Sequence, residues 1–410
     1  MAISGRSDSG RVPELDGLRG LAILSVVAWH YVAVPLMAWP GPVALLVGRS
    51  LRLAWSGVDL FFVLSGFLIG GVLLDHRDCP RYFRAFYARR ACRILPLYIL
   101  WFGLFLLLPA IAPRFAAQPA LDPLFRPSLP TWSYATFTQN LWMARHLSFG
   151  AEWMGITWSL AIEEQFYLAL PLLIRFVPAR RLPGALAALG LAAPVLRALA
   201  GPRRYFTVYV LTPCRADALL LGVLCAYLLR QEDWRRAILR ARPALHGLIV
   251  VVILALGGLC LFRHPGFEGS PYLPSLLAVF YGSILLLAVT GEAGPIPWLL
   301  RRVWLRRLGL VAYGVYLLHP ALDRLAHACI VGRSPALQAP AEIAATAVAG
   351  VATWALAALS WKCFERPLIA LGHRVAYGDR PAAGPAEAGL REVGVEHRPT
   401  LGRPDIEAGR

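Results

Sequence analysis

Arginine 19 and histidine 30 lie inside the stretch ELDGLRGLAILSVVAWH, residues 14–30, which otherwise reads as a membrane helix. Ionisable side chains at membrane depth are costly and mark a functional site by default. Eleven residues separate the two, close to three helical turns, so both project from one face with roughly 16 Å of rise between them. A cation that snorkels to the interface is the simpler account of Arg19 alone, and a packed histidine that of His30 alone. Together on one face they offer a fixed positive charge near the helix start and an imidazole deeper in.

Four further segments place chemistry-bearing residues in or beside apolar runs. GVDLFFVLSGF puts Asp59 near the outer end of a second span, where it needs a partner such as a histidine or an arginine, and its Ser65 and Gly66 suit close helix packing. FYARRACRILPLY carries Arg90 and Arg93 three apart at the start of a helix, hence on one face. Two guanidiniums forked in this way suit a phosphate-bearing ligand, or they belong to an ordinary basic cluster drawn to anionic headgroups. TWSLAIEEQFYLALP places Glu163 and Glu164 in a span, about 100° apart, so that only one faces the bundle centre easily with Trp158 or Tyr167. A carboxylate there can orient a histidine as in a catalytic triad, or form a structural ion pair. AYGVYLLHP aligns Tyr313, Tyr316 and His319 along one span, with Pro320 freeing a backbone carbonyl; packing, substrate contact and catalysis all remain open for His319. No zinc-ligand spacing, phosphate-cradling glycine loop or nucleophile elbow is present, so no metal site is expected.

The elements that must carry these residues follow from composition. The chain of 410 residues is 58% hydrophobic and only 16% charged, well below the charged fraction of about a quarter in soluble domains. Recurring apolar runs of about 20 residues predict an all-α membrane protein, a polytopic bundle of about ten transmembrane helices. The spans are expected at 15–37, 55–74, 94–112, 155–176, 182–200, 216–229, 244–262, 272–290, 308–325 and 341–361. The net charge of +17 sits between the apolar runs, which fits positive-inside topology and not a nucleic-acid partner. Arginines concentrate in the alternate loops that include residues 77–93 and 230–242, predicting both termini on the cytoplasmic side of a bacterial inner membrane. The seven cysteines include no C-x-x-C pair and imply no disulfide framework.

Residues 1–13 read as a short polar cytoplasmic segment and 14–371 as the membrane domain. Residues 372–410, rich in Gly, Pro, Ala and Glu, read as a disordered cytoplasmic tail. Between the third and fourth spans, residues 134–143 are aromatic enough for an interfacial or re-entrant piece.

Taken together the five segments resemble the acyltransferase-3 family of integral membrane O-acyltransferases, over residues 14–367. The resemblance implies a roughly ten-helix bundle that uses acyl-CoA, most simply acetyl-CoA, to acylate a hydroxyl of a saccharide or glycosylated acceptor. It also implies that Arg19 and His30 are the family's essential first-helix pair, that Arg90 and Arg93 are its R-x-x-R feature, and that Glu163 is its WSL-x-x-E glutamate. On this reading Arg19, Arg90 and Arg93 hold the donor and His30 is the general base, with Glu163 or Asp59 steadying the imidazolium; an acyl-histidine relay is the rival route. Trp158, Tyr167, Tyr316 and His319 are the expected acceptor contacts. Macrolide-type metabolites are alternative acceptors within the class. A proton-coupled secondary transporter uses the same buried residue types, but the chain lacks an inverted repeat and paired broken helices.

Overall fold

A computed structural model describes residues 12–37, 39, 41–116, 118–262, 267–291 and 293–378. Each of the ten expected spans is a helix. They are α1 Pro13–Ala28, α2 Gly57–Asp75, α3 Tyr82–Ile111, α4 Trp158–Phe176, α5 Leu182–Ala200, α6 Ala216–Leu228, α7 Arg242–Leu261, α8 Leu273–Thr290, α9 Ala312–Ile330 and α10 Pro340–Ser360. Seven helical stretches, containing α1, α2, α3, α5, α7, α8 and α10, are long and apolar enough to cross a membrane. The other three carry the polar cargo or are short: α4 holds Glu163, Glu164 and Arg175, α9 holds Asp323 and Arg324, and α6 has 13 residues.

Two helices depart from the expected register. α1 continues through a π-helical turn, Trp29–Ala33, and one last turn, Val34–Met37. The π turn inserts an extra residue into the helical repeat, a device frequent at functional sites, and His30 lies within it. α3 begins at Tyr82 and not near residue 94, because the basic stretch continues the span without a break. Arg90 and Arg93 therefore sit two to three turns inside a 30-residue helix and not at its start.

Glycines set how closely the central helices approach. A Cβ on Gly66 of α2 would lie 1.9 Å from the carbonyl oxygen of Leu219 on α6, and one on Gly222 would lie 2.1 Å from that of Val63. Backbone therefore touches backbone along the α2–α6 seam, as small residues permit in membrane bundles. α1 is held in the same way against the short helix Val303–Leu310, where a Cβ on Gly309 would lie 1.9 Å from the Asp16 carbonyl oxygen. Its start is further tied by the Arg301 guanidinium, which donates to the buried Glu14 carboxylate.

The interruption between α3 and α4 is a set of short, half-buried helices, including Thr131–Ala135 and Gln139–His146. Tyr134, Gln139, Asn140 and Met143 are fully buried, while Trp132 and Leu141 are exposed, so the piece turns one side to the protein and the other outward. Irregular backbone is tolerated at such depth only where protein partners satisfy it. Gln139 Nε2 donates to the Thr157 carbonyl at 2.9 Å, Asn140 Nδ2 to Val210 at 3.1 Å, and Gln165 Nε2 to Phe137 at 2.8 Å.

Of the expected tail, residues 372–378 are docked. The Tyr377 ring stacks on His76 with centroids 3.9 Å apart, the Arg89 guanidinium covers it at 4.7 Å, and Arg89 Nε donates to the Val375 carbonyl at 3.1 Å. The remainder of that segment, 379–410, and residues 1–11 of the expected N-terminal segment lie outside the described residues.

Candidate active site

Two groups of buried polar side chains occupy the bundle. The first lies between α1, α3, α4 and α9. Glu163 has Arg93 and Arg90 of α3 and Arg19 of α1 as its charged neighbours. Glu164 has Arg90 and Glu163 beside it, so the adjacent carboxylates both reach the arginine-lined interior, contrary to the expectation that only one would. Arg93 also has Glu365 near it, a buried glutamate from the π turn Trp361–Glu365 that sequence reasoning missed. Ser65 and the Tyr167 hydroxyl are 2.5 Å apart, which joins α2 to α4 and gives Ser65 a polar partner instead of the packing notch expected for it.

Arg90 and Arg93 are each half-buried. Among the described residues, neither guanidinium takes part in a salt bridge or a hydrogen bond. That leaves two cations three residues apart with their donors directed into the bundle. Arg19 is different: its Nη1 lies 3.2 Å from Asp16 Oδ1.

Farther along α1, the His30 ring meets the His319 ring of α9 with centroids 5.0 Å apart. His319 is fully buried. Tyr316 is one turn away, 6.0 Å between ring centres, with its hydroxyl 2.6 Å from Ser159 Oγ and donating to the Ile156 carbonyl at 3.0 Å. Tyr31 donates to the His319 carbonyl at 2.8 Å. Tyr313 donates to the Ile94 carbonyl at 2.9 Å, tying α9 to α3. One face of α9 thus links the imidazole level to the arginine level.

The second group is separate. Asp59 Oδ1 and Arg215 Nη2 are 2.6 Å apart, and only 1% of each side chain is exposed. The Arg215 guanidinium also stands 5.2 Å from the Tyr209 ring centre and 5.8 Å from that of Phe62. Arg197 Nη2 donates to Asp217 at 2.7 Å and to Ser275 at 2.7 Å. Trp158, expected at the acceptor, packs here against Tyr209 and Phe62 at 4.6 and 6.2 Å.

The triad-like pairing anticipated for His30 is therefore not the arrangement found. Asp59 has the arginine among its two anticipated partners, and Glu163 faces three arginines; His319 takes the place beside His30. Arg215 escaped sequence reasoning because its cost at depth is legible only once its partner, 156 residues away, is known. Among the described residues, no group of three or more His, Cys, Asp or Glu side chains is placed to hold a metal ion.

Residues 12–361 match the family model described as an acyltransferase domain. The chain is 26% identical over 387 residues to the peptidoglycan O-acetyltransferase OatA of Listeria monocytogenes, covering 87% of this chain and 56% of the relative. It is 28% identical over 394 residues to the putative peptidoglycan O-acetyltransferase YrhL of Bacillus subtilis, covering 88% and 56%. To the O-acetyltransferase OatA of Staphylococcus aureus it is 31% identical over 232 residues, 53% of this chain and 34% of that one. The chain thus spans about half the length of the first two of these relatives. No solved structure matches it.

Proposed function

This chain belongs to the acyltransferase-3 family, and on that premise we propose that it is a membrane O-acyltransferase carrying an acyl group, acetyl first of all, from acyl-CoA to a saccharide hydroxyl. The observation that supports the donor is the pair Arg90 and Arg93, two half-buried cations from one face of α3 that lack a salt bridge among the described residues. Guanidiniums in this state match phosphate in charge and in hydrogen-bond geometry, and coenzyme A carries its phosphates at the end opposite its thioester. Arg19 stands at the same level, and His30 lies about 16 Å farther along α1, within reach of an extended pantetheine arm.

The chemistry follows from that separation. His30 takes the proton of the acceptor hydroxyl as its oxygen attacks the thioester carbonyl. The carbon–sulfur bond then breaks, and His30 returns the proton to the departing thiolate, so the histidine ends as it began. Glu163 serves as countercharge to the arginines, keeping them ordered when no phosphate is present. Tyr167 and Tyr316 are contacts of the bound substrates near the two levels.

Both termini lie on the cytoplasmic side of a bacterial inner membrane in this reading, in keeping with the arginine-rich loops on that side. The donor then enters from the cytoplasm and the acceptor from the opposite face. The relatives' names speak of peptidoglycan, which makes a cell-wall glycan the first acceptor to try. The test is transfer of labelled acetyl from acetyl-CoA to soluble peptidoglycan fragments by purified protein in detergent, where no ion gradient exists. Transfer that His30→Ala abolishes supports the proposal; full transfer by that variant overturns the mechanism.

A further inference from the structure

Pro320 withdraws an N–H from α9, so the carbonyl of Tyr316, four residues earlier, has no backbone donor. His319 stands next to this gap. Its Nδ1 lies 2.8 Å from the Tyr316 carbonyl oxygen and 3.2 Å from that of Val315. Carbonyl oxygens only accept, so in the neutral ring Nδ1 carries the proton and Nε2 is left with a lone pair. That Nε2 is buried and has no hydrogen-bond partner, in a residue with 0% exposure. A buried polar atom in such a state needs a physical reason.

The ring nearest to it is His30, centroid to centroid 5.0 Å with the planes inclined by 56°. Each imidazole nitrogen is roughly 1.1 Å from its ring centre, so an N–H···N bond of about 2.9 Å joins rings whose centres are about 5 Å apart. The two histidines thus stand at hydrogen-bonding separation, and a change in ring orientation is enough to close the bond. The spacing is held from outside as well: Tyr31, next to His30, donates to the His319 carbonyl at 2.8 Å and meets Thr353 Oγ1 of α10 at 2.9 Å.

We infer that His319 is the positioning residue of His30: its Nε2 accepts the N–H of His30, fixing which His30 nitrogen carries the proton and leaving the other free as the base. The inference rests on the role given to His30 above. It assigns to a neutral imidazole, locked by a proline-made gap, the orienting work that a carboxylate performs in a triad. During transfer the acceptor proton moves to the free nitrogen of His30 and on to the thiolate. The second N–H of His30 stays shared with His319, which neither gains nor loses a proton.

Two substitutions separate positioning from packing. His319→Gln keeps an acceptor at the place of Nε2, and His319→Asn keeps a polar group at the place of Nδ1 while removing that acceptor. In full-length protein labelled with nitrogen-15 at histidine, the His30 signals are assigned by their loss in His30→Gln. One tautomer is expected in the wild type and in His319→Gln, and a mixture in His319→Asn. With acetyl-CoA and peptidoglycan fragments, His319→Asn should lower kcat at least about 10-fold with KM for acetyl-CoA within about 2-fold, while His319→Gln stays within about 3-fold. A tautomer mixture in the wild type, an unchanged tautomer in His319→Asn, or equal kcat in the two variants overturns the inference. Wild-type turnover by His30→Gln overturns the general-base reading instead, and the tautomer comparison still decides the role of His319 on its own.

Discussion

Asp59 and Arg215 hold each other at 2.6 Å in the interior of the bundle, 99% shielded from solvent by α2, α6 and the aromatic rings of Phe62 and Tyr209. Removing one member strands the other charge. Asp59→Ala should therefore lower stability by about 3–5 kcal/mol. Replacing both, as Asp59→Leu with Arg215→Met, should recover most of the loss. Thermal unfolding in detergent checks this, and a single variant as stable as the wild type would sink the assignment of a structural pair.

Arg90 and Arg93 should act on donor affinity and not on folding, since neither is engaged in a salt bridge among the described residues. Hydrogen bonds to charged groups contribute about 1.5–3 kcal/mol, so each Arg→Ala substitution should weaken coenzyme A binding by roughly 10-fold or more. Titration calorimetry with coenzyme A measures it. Raising the salt concentration should weaken wild-type binding more than that of the double variant.

His30 should behave in the opposite way. His30→Ala should reduce kcat by about 10²–10⁴-fold, the contribution typical of a general base, with the coenzyme A affinity unchanged. A parallel loss of donor binding would move His30 from the chemistry to the donor pocket.

Gly66 and Gly103 make a matched comparison. Gly66→Ala puts a methyl group 1.9 Å from the Leu219 carbonyl oxygen and must push α2 and α6 apart, whereas a Cβ on Gly103 meets nothing within 4 Å. Overpacking of this kind costs about 1–3 kcal/mol, so Gly66→Ala should unfold at lower temperature. Gly103→Ala should be neutral or stabilising by up to about 1 kcal/mol, alanine being the better helix former. Equal unfolding temperatures would contradict the backbone contact.

Ten helices, the ionisable residues at depth and the eleven-residue spacing of Arg19 and His30 were legible from sequence because each is a local property. Apolar length marks a span whatever surrounds it, and a charge inside a span announces its own cost. Asp59 shows the limit: its need for a partner was evident, and an arginine was one of two candidates, but its position relative to Arg215 depends on how α2 crosses α6. That crossing is governed by Gly66 and Gly222 meeting the opposite backbone. Residues 134–143 suggested an interfacial or re-entrant piece, but the partners that satisfy its buried Gln139 and Asn140, the carbonyls of Thr157 and Val210, come from distant segments.

The same distinction holds at the centre of the molecule. Sequence alone determined that His30 lies on the arginine-bearing helix and that Pro320 frees a carbonyl beside His319. Tertiary structure decided that the two imidazoles meet while Asp59 and Glu163 turn to arginines. The reason is physical: a side chain's desolvation cost is set by its own chemistry and depth, but the partner that offsets it is set by helix packing, which brings together residues hundreds of positions apart.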